Sequence, residues 1–95
     1  MDANLINRIV AYLKTVPVEK AWIFGSFSRG EETPASDVDI LVEFIKDSFL
    51  GLGYFKMIGD LEDICGRSVD LVGTDMLDHR VVPYVNKDKI LIYER

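Results

Sequence analysis

Residues 36–44 read Ser-Asp-Val-Asp-Ile-Leu-Val-Glu-Phe, and no other stretch of the chain leaves so little freedom in how it can fold. Side chains on a β-strand point alternately to opposite faces, so Val38, Ile40, Val42 and Phe44 share one face while Asp37, Asp39, Leu41 and Glu43 share the other. A helix would scatter these groups around its circumference. A strand gathers four large apolar side chains into a core-facing row and sends two carboxylates, Asp37 and Asp39, out of the same face two residues apart.

The flanking sequence supplies elements to bury that row. Leu5, Ile6, Ile9, Val10, Leu13 and Val16 recur at helical spacing, with Asp2 or Asn4 as cap and Pro17 as a stop. Residues 20–24 form a short apolar run that ends at Gly25, as expected for a buried strand entering a tight turn. Beyond the central strand, Tyr54, Met57, Ile58, Leu61, Ile64 and Cys65 mark a second helical stripe, with Asp47 or Ser48 as cap and Gly66 to close it in a left-handed turn. Gly51, Gly53 and Gly59 each lower helix propensity by about 1 kcal/mol relative to alanine, which predicts an irregular first turn. Residues 67–72 read as a strand in which Asp70 has the opposite parity to Val69 and Leu71. Residues 75–81 suit a short helix before Pro83, and 89–93 a terminal strand. This order predicts an α/β (α+β) fold, a small mixed sheet with helices packed on one face. No repeat or linker interrupts residues 1–95, which read as one domain.

Composition narrows the partners. Sixteen acidic against eleven basic residues give a net charge of -5, which repels nucleic acid and anionic lipid at long range. No apolar stretch is long enough to span a bilayer, and residues 1–8 lack the pattern of an export signal. The single cysteine, Cys65, can form neither an internal disulfide nor a multi-thiolate metal site, which fits a cytoplasmic location.

The chemistry is concentrated in Gly25-Ser26-Phe27-Ser28-Arg29-Gly30, Ser36-Asp37-Val38-Asp39 and Asp70. A strand that ends in Gly-Ser and enters a helical turn presents unpaired backbone N–H groups, a common seat for phosphate. Gly25 permits close approach and Ser26 adds a hydroxyl. Asp70 can join Asp37 and Asp39 if their strands are neighbours. Three such carboxylates repel by about 4 kcal/mol per pair at about 4 Å and an effective dielectric of about 20, so a cation is needed to offset them. A small set of hard oxygen donors with open positions describes Mg²⁺ rather than zinc. The expected ligand is a nucleoside triphosphate with two magnesium ions, and the expected reaction is phosphoryl or nucleotidyl transfer. Asp37 and Asp39 would bridge both ions, and Asp70 would bind the ion on the nucleophile side and act as base.

Gly25-Ser26 followed by Arg29-Gly30, then Ser36-Asp37-Val38-Asp39 and the later Asp70, resembles the minimal nucleotidyltransferase (MNT) family of the DNA polymerase β-like superfamily from the first strand through the third. Ser28 stands where many members have alanine. The resemblance implies a polymerase β-like nucleotidyltransferase fold, a Gly-Ser that holds the triphosphate of ATP and three aspartates that bind magnesium. It also implies an antitoxin that transfers AMP to a tyrosine hydroxyl of a HEPN toxin. A chain of 95 residues has no room for a separate acceptor-gripping domain, so the acceptor is expected to bring its own surface. Two alternatives stay open: a catalytically silent module that neutralises its partner by binding, and a small-molecule nucleotidyltransferase subunit.

Other residues have plainer readings. Arg29 can pair with phosphate or with a nearby carboxylate. Glu43 is expected on a solvated face, His79 at the surface beside Asp78 and Arg80, and Cys65 in the core. Phe49, Leu50, Leu52, Tyr54 and Phe55 carry more apolar bulk than one helix stripe requires, either as core under an irregular turn or as a partner patch.

Overall fold

A computed structural model of the chain describes residues 3–48 and 51–95. In chain order the elements are α1 (Ala3–Leu13), β1 (Val18–Phe24), α2 (Ser26–Arg29), β2 (Val38–Phe44), α3 (Gly53–Cys65), β3 (Val69–Gly73), a single helical turn at Thr74–Met76, α4 (Val82–Asp88) and β4 (Ile90–Glu94). The four strands form one mixed sheet in the order β3-β2-β1-β4. Strand β1 runs antiparallel to both β2 and β4, and β2 runs parallel to β3. Parallel neighbours need a crossover, which α3 provides.

One apolar cluster joins the helices to the sheet. Leu5, Ile9 and Leu13 of α1 and Met57 and Leu61 of α3 pack with Ala21, Ile23, Val38, Ile40, Val42, Val69 and Leu71. The expected core row of β2 is therefore the observed one, and the helical stripes of α1 and α3 cover that face. Leu41, on the opposite face, is also buried, lying in register between Trp22 and Val72. Gly66 closes α3 at φ 67°, donating its N–H to the Glu62 carbonyl at 2.8 Å.

Several boundaries differ from expectation. The ladder begins at Val38, whose N–H donates to Ser68 O at 3.0 Å, so Asp37 lies one residue ahead of β2 rather than on it. Helix α3 starts at Gly53, and Ser48 turns its hydroxyl onto Ile45 O at 2.5 Å instead of capping the helix. The glycines at 51 and 53 account for the late start, since they weaken the first turn. The helix expected over 75–81 shrinks to the turn Thr74–Met76, and Pro83 stands in the first turn of α4, where its missing N–H costs nothing. The cap expected at Asp2 and the apolar bulk at Phe49 and Leu50 lie outside the described residues. Leu52 and Phe55, within them, are exposed, whereas Tyr54 packs against the core. No helix among the described residues is long and apolar enough to cross a membrane.

Candidate active site

The site is assembled where β1 ends and β2 and β3 begin. Phe24, the last residue of β1, pairs in register with Asp39. Gly25 then takes φ 72° and ψ -153°, a region open essentially to glycine alone. A Cβ at this position would stand 2.1 Å from Oδ2 of Asp39. Glycine is needed twice over, to turn the chain and to admit a carboxylate against its Cα. The Gly25 carbonyl accepts the N–H groups of Ser28 and Arg29 at 3.1 and 3.3 Å and the Ser28 hydroxyl at 2.7 Å, which winds α2 directly out of the bend. Phe27 is buried and anchors that turn, leaving Ser26 and Arg29 at its edge.

Across the sheet, Asp39 is the register partner of Asp70. Parallel partners on strands about 4.8 Å apart point to the same face. Val69 and Leu71 are buried while Asp70 is exposed, the parity expected of it. Asp37, just ahead of β2, is exposed. The half-buried Asp39 carboxyl is pushed above the ordinary aspartate range, first by burial and then by the negative charges of Asp70 and Asp37, with the Arg29 guanidinium opposing. Asp39 thus feels the charge of both other aspartates, Asp70 from its register position and Asp37 from a loop.

Arg29 is engaged by carboxylates: Nε lies 2.5 Å from Glu31 Oε1 and Nη1 2.6 Å from Asp88 Oδ2. Asp88, on α4, has no local sequence signal that would have linked it to α2. Tyr54 was also missed, because its place in the apolar stripe of α3 hid its hydroxyl. That hydroxyl donates to Leu71 O, and the phenol is pushed up first by burial and then by Asp70. His79 is exposed beside Asp78, and Cys65 is half-buried against the core. Glu43 is half-buried at the far end of β2, where it borders a cavity of about 420 Å³ together with Phe44, Tyr54 and Asp75. None of the three aspartates lines that cavity.

Among the described residues, no group of three or more His, Cys, Asp or Glu side chains is placed to hold a metal ion. The acidic groups whose charge reaches Asp39 are nevertheless both carboxylates, and the Arg29 guanidinium offsets them only in part. This suits magnesium, which takes one or two carboxylates and completes its octahedron from water and substrate phosphate. Residues Asp37, Asp39 and Asp70 could hold it, and the Gly25-Ser26 bend could receive the phosphates.

The polymerase β nucleotidyltransferase profile matches residues 7–95. The chain belongs to this family. A Methanocaldococcus jannaschii protein provisionally named a protein adenylyltransferase is 39% identical over 79 residues, spanning 80% of this chain and 76% of the relative. A solved structure provisionally named a minimal nucleotidyltransferase is 33% identical, with a TM-score of 0.71 over 95% of each chain. The fold is shared as well with a chain of the complex between a tri-AMPylated Shewanella oneidensis HEPN toxin and its MNT antitoxin, at a TM-score of 0.77 and 20% identity over 100% of this chain and 74% of that one. As a family member the protein is a nucleotidyltransferase, with the small mixed sheet and helices that the family fold requires.

Proposed function

We propose that residues 1–95 act as one magnesium-dependent nucleotidyltransferase domain that moves AMP from ATP to a tyrosine hydroxyl of a HEPN-type toxin, and so serves as its antitoxin. The reading is carried by one observation: the register of β2 and β3 puts Asp39 across from Asp70, with the Gly25 bend in contact with the Asp39 carboxylate. The relative named for protein adenylyl transfer, and the fold shared with an antitoxin bound to an AMPylated toxin, support a protein acceptor. A net charge of -5 disfavours nucleic acid in that role.

In this reading Asp37 and Asp39 would hold the magnesium ions, and Asp70 would join them on the side that serves the acceptor. Bound magnesium supplies charge neutralisation on the triphosphate and alignment of the reacting oxygens. The Ser26 hydroxyl and the first N–H groups of α2 receive phosphate oxygens, because those donors have no acceptor within a helix. Arg29 adds a guanidinium at the rim. Asp70, exposed at the sheet face, takes the proton from the tyrosine hydroxyl. The phenolic oxygen then bonds to the α-phosphorus, the bond from that phosphorus to the bridging oxygen of the β-phosphate breaks, and pyrophosphate leaves with the electron pair.

The test is transfer of label from ATP carrying it on the α-phosphate, with magnesium and the purified toxin. Label is expected on the toxin with the wild-type protein and not with the Asp37→Asn, Asp39→Asn double variant. Undiminished labelling by that variant would sink the assignment of the metal site. Label on a small hydroxylated molecule and on no protein would favour a small-molecule subunit instead. Full neutralisation by the inactive double variant would assign the antitoxin effect to binding alone.

A further inference from the structure

Register fixes Asp39 and Asp70, but Asp37 lies one residue outside the ladder, so something else must place its carboxylate. We propose that Arg67 is the positioning residue that does so, an inference resting on the assignment of Asp37, Asp39 and Asp70 to metal binding. The Nη1 of Arg67 donates to the carbonyl oxygens of Thr33 and Ser36, each at 3.1 Å. Those two residues close a turn on themselves, Ser36 N–H to Thr33 O at 3.0 Å and Thr33 N–H to Ser36 Oγ at 2.9 Å. The guanidinium carbon lies 5.0 Å from the centroid of the Phe27 ring. Ser36 immediately precedes Asp37, Phe27 immediately follows Ser26, and Arg67 itself stands just ahead of β3 and Asp70. One half-buried cation therefore touches a neighbour of each segment that carries the site, the phosphate bend, the aspartate loop and the third strand.

The residue type follows from the geometry. A planar guanidinium can lie against an aromatic ring while its N–H groups point outward in plane to carbonyls. A lysine ammonium could sit over the ring, as Lys89 does over Trp22, or reach a carbonyl, but it has no planar fork with which to do both. Arg67 touches no reacting group, so its effect passes through the position of Asp37 relative to Asp39 and Asp70.

Mn²⁺ serves as the probe, with free ion counted by electron paramagnetic resonance during titration of the purified protein. Arg67→Gln is expected to keep wild-type circular dichroism while its Mn²⁺ dissociation constant rises about 10- to 100-fold, as for other residues that orient metal ligands. Arg67→Lys should fall between the two. In the transfer assay, Arg67→Gln should need correspondingly more magnesium for half-maximal rate, with KM for ATP at saturating magnesium little changed. Ile9→Val, a core change on α1, controls for general loosening and should bind Mn²⁺ like wild type. The proposal is overturned if folded Arg67→Gln binds Mn²⁺ like wild type, or if Ile9→Val weakens binding as much. It is also overturned if neither Arg67 variant folds, which would assign the residue to the fold. Failure of the underlying reading looks different: wild type and Asp39→Asn would then bind Mn²⁺ alike.

Discussion

Asp39 and Asp70 face each other as register partners across the parallel β2–β3 ladder, one half-buried and the other exposed. Opposed like charges on adjacent strands destabilise a sheet. Burial adds to the cost for Asp39, whose carboxyl is pushed above the ordinary value of 3.8 by desolvation, then by Asp70 and Asp37. The fold tolerates this arrangement at the mouth of the Gly25 bend, where a bound cation would relieve it.

The sign of that cost is testable. A carboxyl whose folded pKa is raised binds its proton more tightly when folded, so its contribution to stability falls as pH rises from the unfolded aspartate range through the folded value. At neutral pH, without metal, ionised Asp39 is a burden, trimmed by solvent screening because the group is half exposed. Asp39→Asn should therefore melt a few degrees higher than wild type at neutral pH, and the gap should close near about pH 3, where both are uncharged. Magnesium should raise the melting temperature of wild type and leave Asp39→Asn unmoved. A variant less stable than wild type at neutral pH in a chelating buffer would contradict the electrostatic account.

Two glycines with nearly the same φ separate turn strain from site geometry. Gly25 at 72° and Gly66 at 67° both resist a side chain, but a Cβ at 25 would meet Asp39 Oδ2 while one at 66 meets nothing within 4 Å. Gly25→Ala is expected to cost about 1–3 kcal/mol in denaturant melts, and to weaken magnesium-dependent transfer by pushing the Asp39 carboxylate aside. Gly66→Ala should cost about 1–2 kcal/mol with transfer unchanged at temperatures where it is folded. Equal loss of transfer in both would reduce the Gly25 effect to stability.

What the sequence made legible was local and periodic. The core-facing row of β2 and the parity of Asp70 are each contained in a few residues, and both are observed, although Leu41 on the other face is buried as well. Neighbourhood of the second and third strands could only be posed as a condition, because register depends on how α3 crosses the sheet. The same limit hid Arg29's pairing with Asp88, which lies 59 positions away, and Arg67's reach to Ser36, 31 positions away. Tyr54 was hidden differently: its ring satisfied the apolar period, so its hydroxyl on Leu71 O carried no separate signal. At Pro83 the error was one of direction, since proline both ends a helix and opens the next.

If Asp70 is the base, its loss should act on rate and leave the fold alone. Its side chain is exposed on an edge strand. Asp70→Asn is expected to lower kcat for transfer by roughly 10²- to 10⁴-fold, the span of general-base catalysis, with a melting temperature no lower than wild type, because the charge opposed to Asp39 is removed. Undiminished kcat in the folded variant at saturating magnesium would move the base to another group.

Arg29 poses a last question, because its guanidinium is held by Glu31 and Asp88. If it serves the triphosphate, one of these partners competes with ATP for it. Asp88→Asn should then lower KM for ATP, and Arg29→Gln should raise it. Their melting temperatures should stay near wild type, since an exposed ion pair adds little to stability. Removing Asp88 could also help simply by deleting a negative charge near a polyanion, and the double variant tells the two apart. Competition requires that Asp88→Asn change nothing once Arg29 is glutamine, a non-additive cycle. A pure charge effect would persist in that background. Arg80, in a comparable surface pair with Asp78, is the control, and its replacement by glutamine should leave KM where it was.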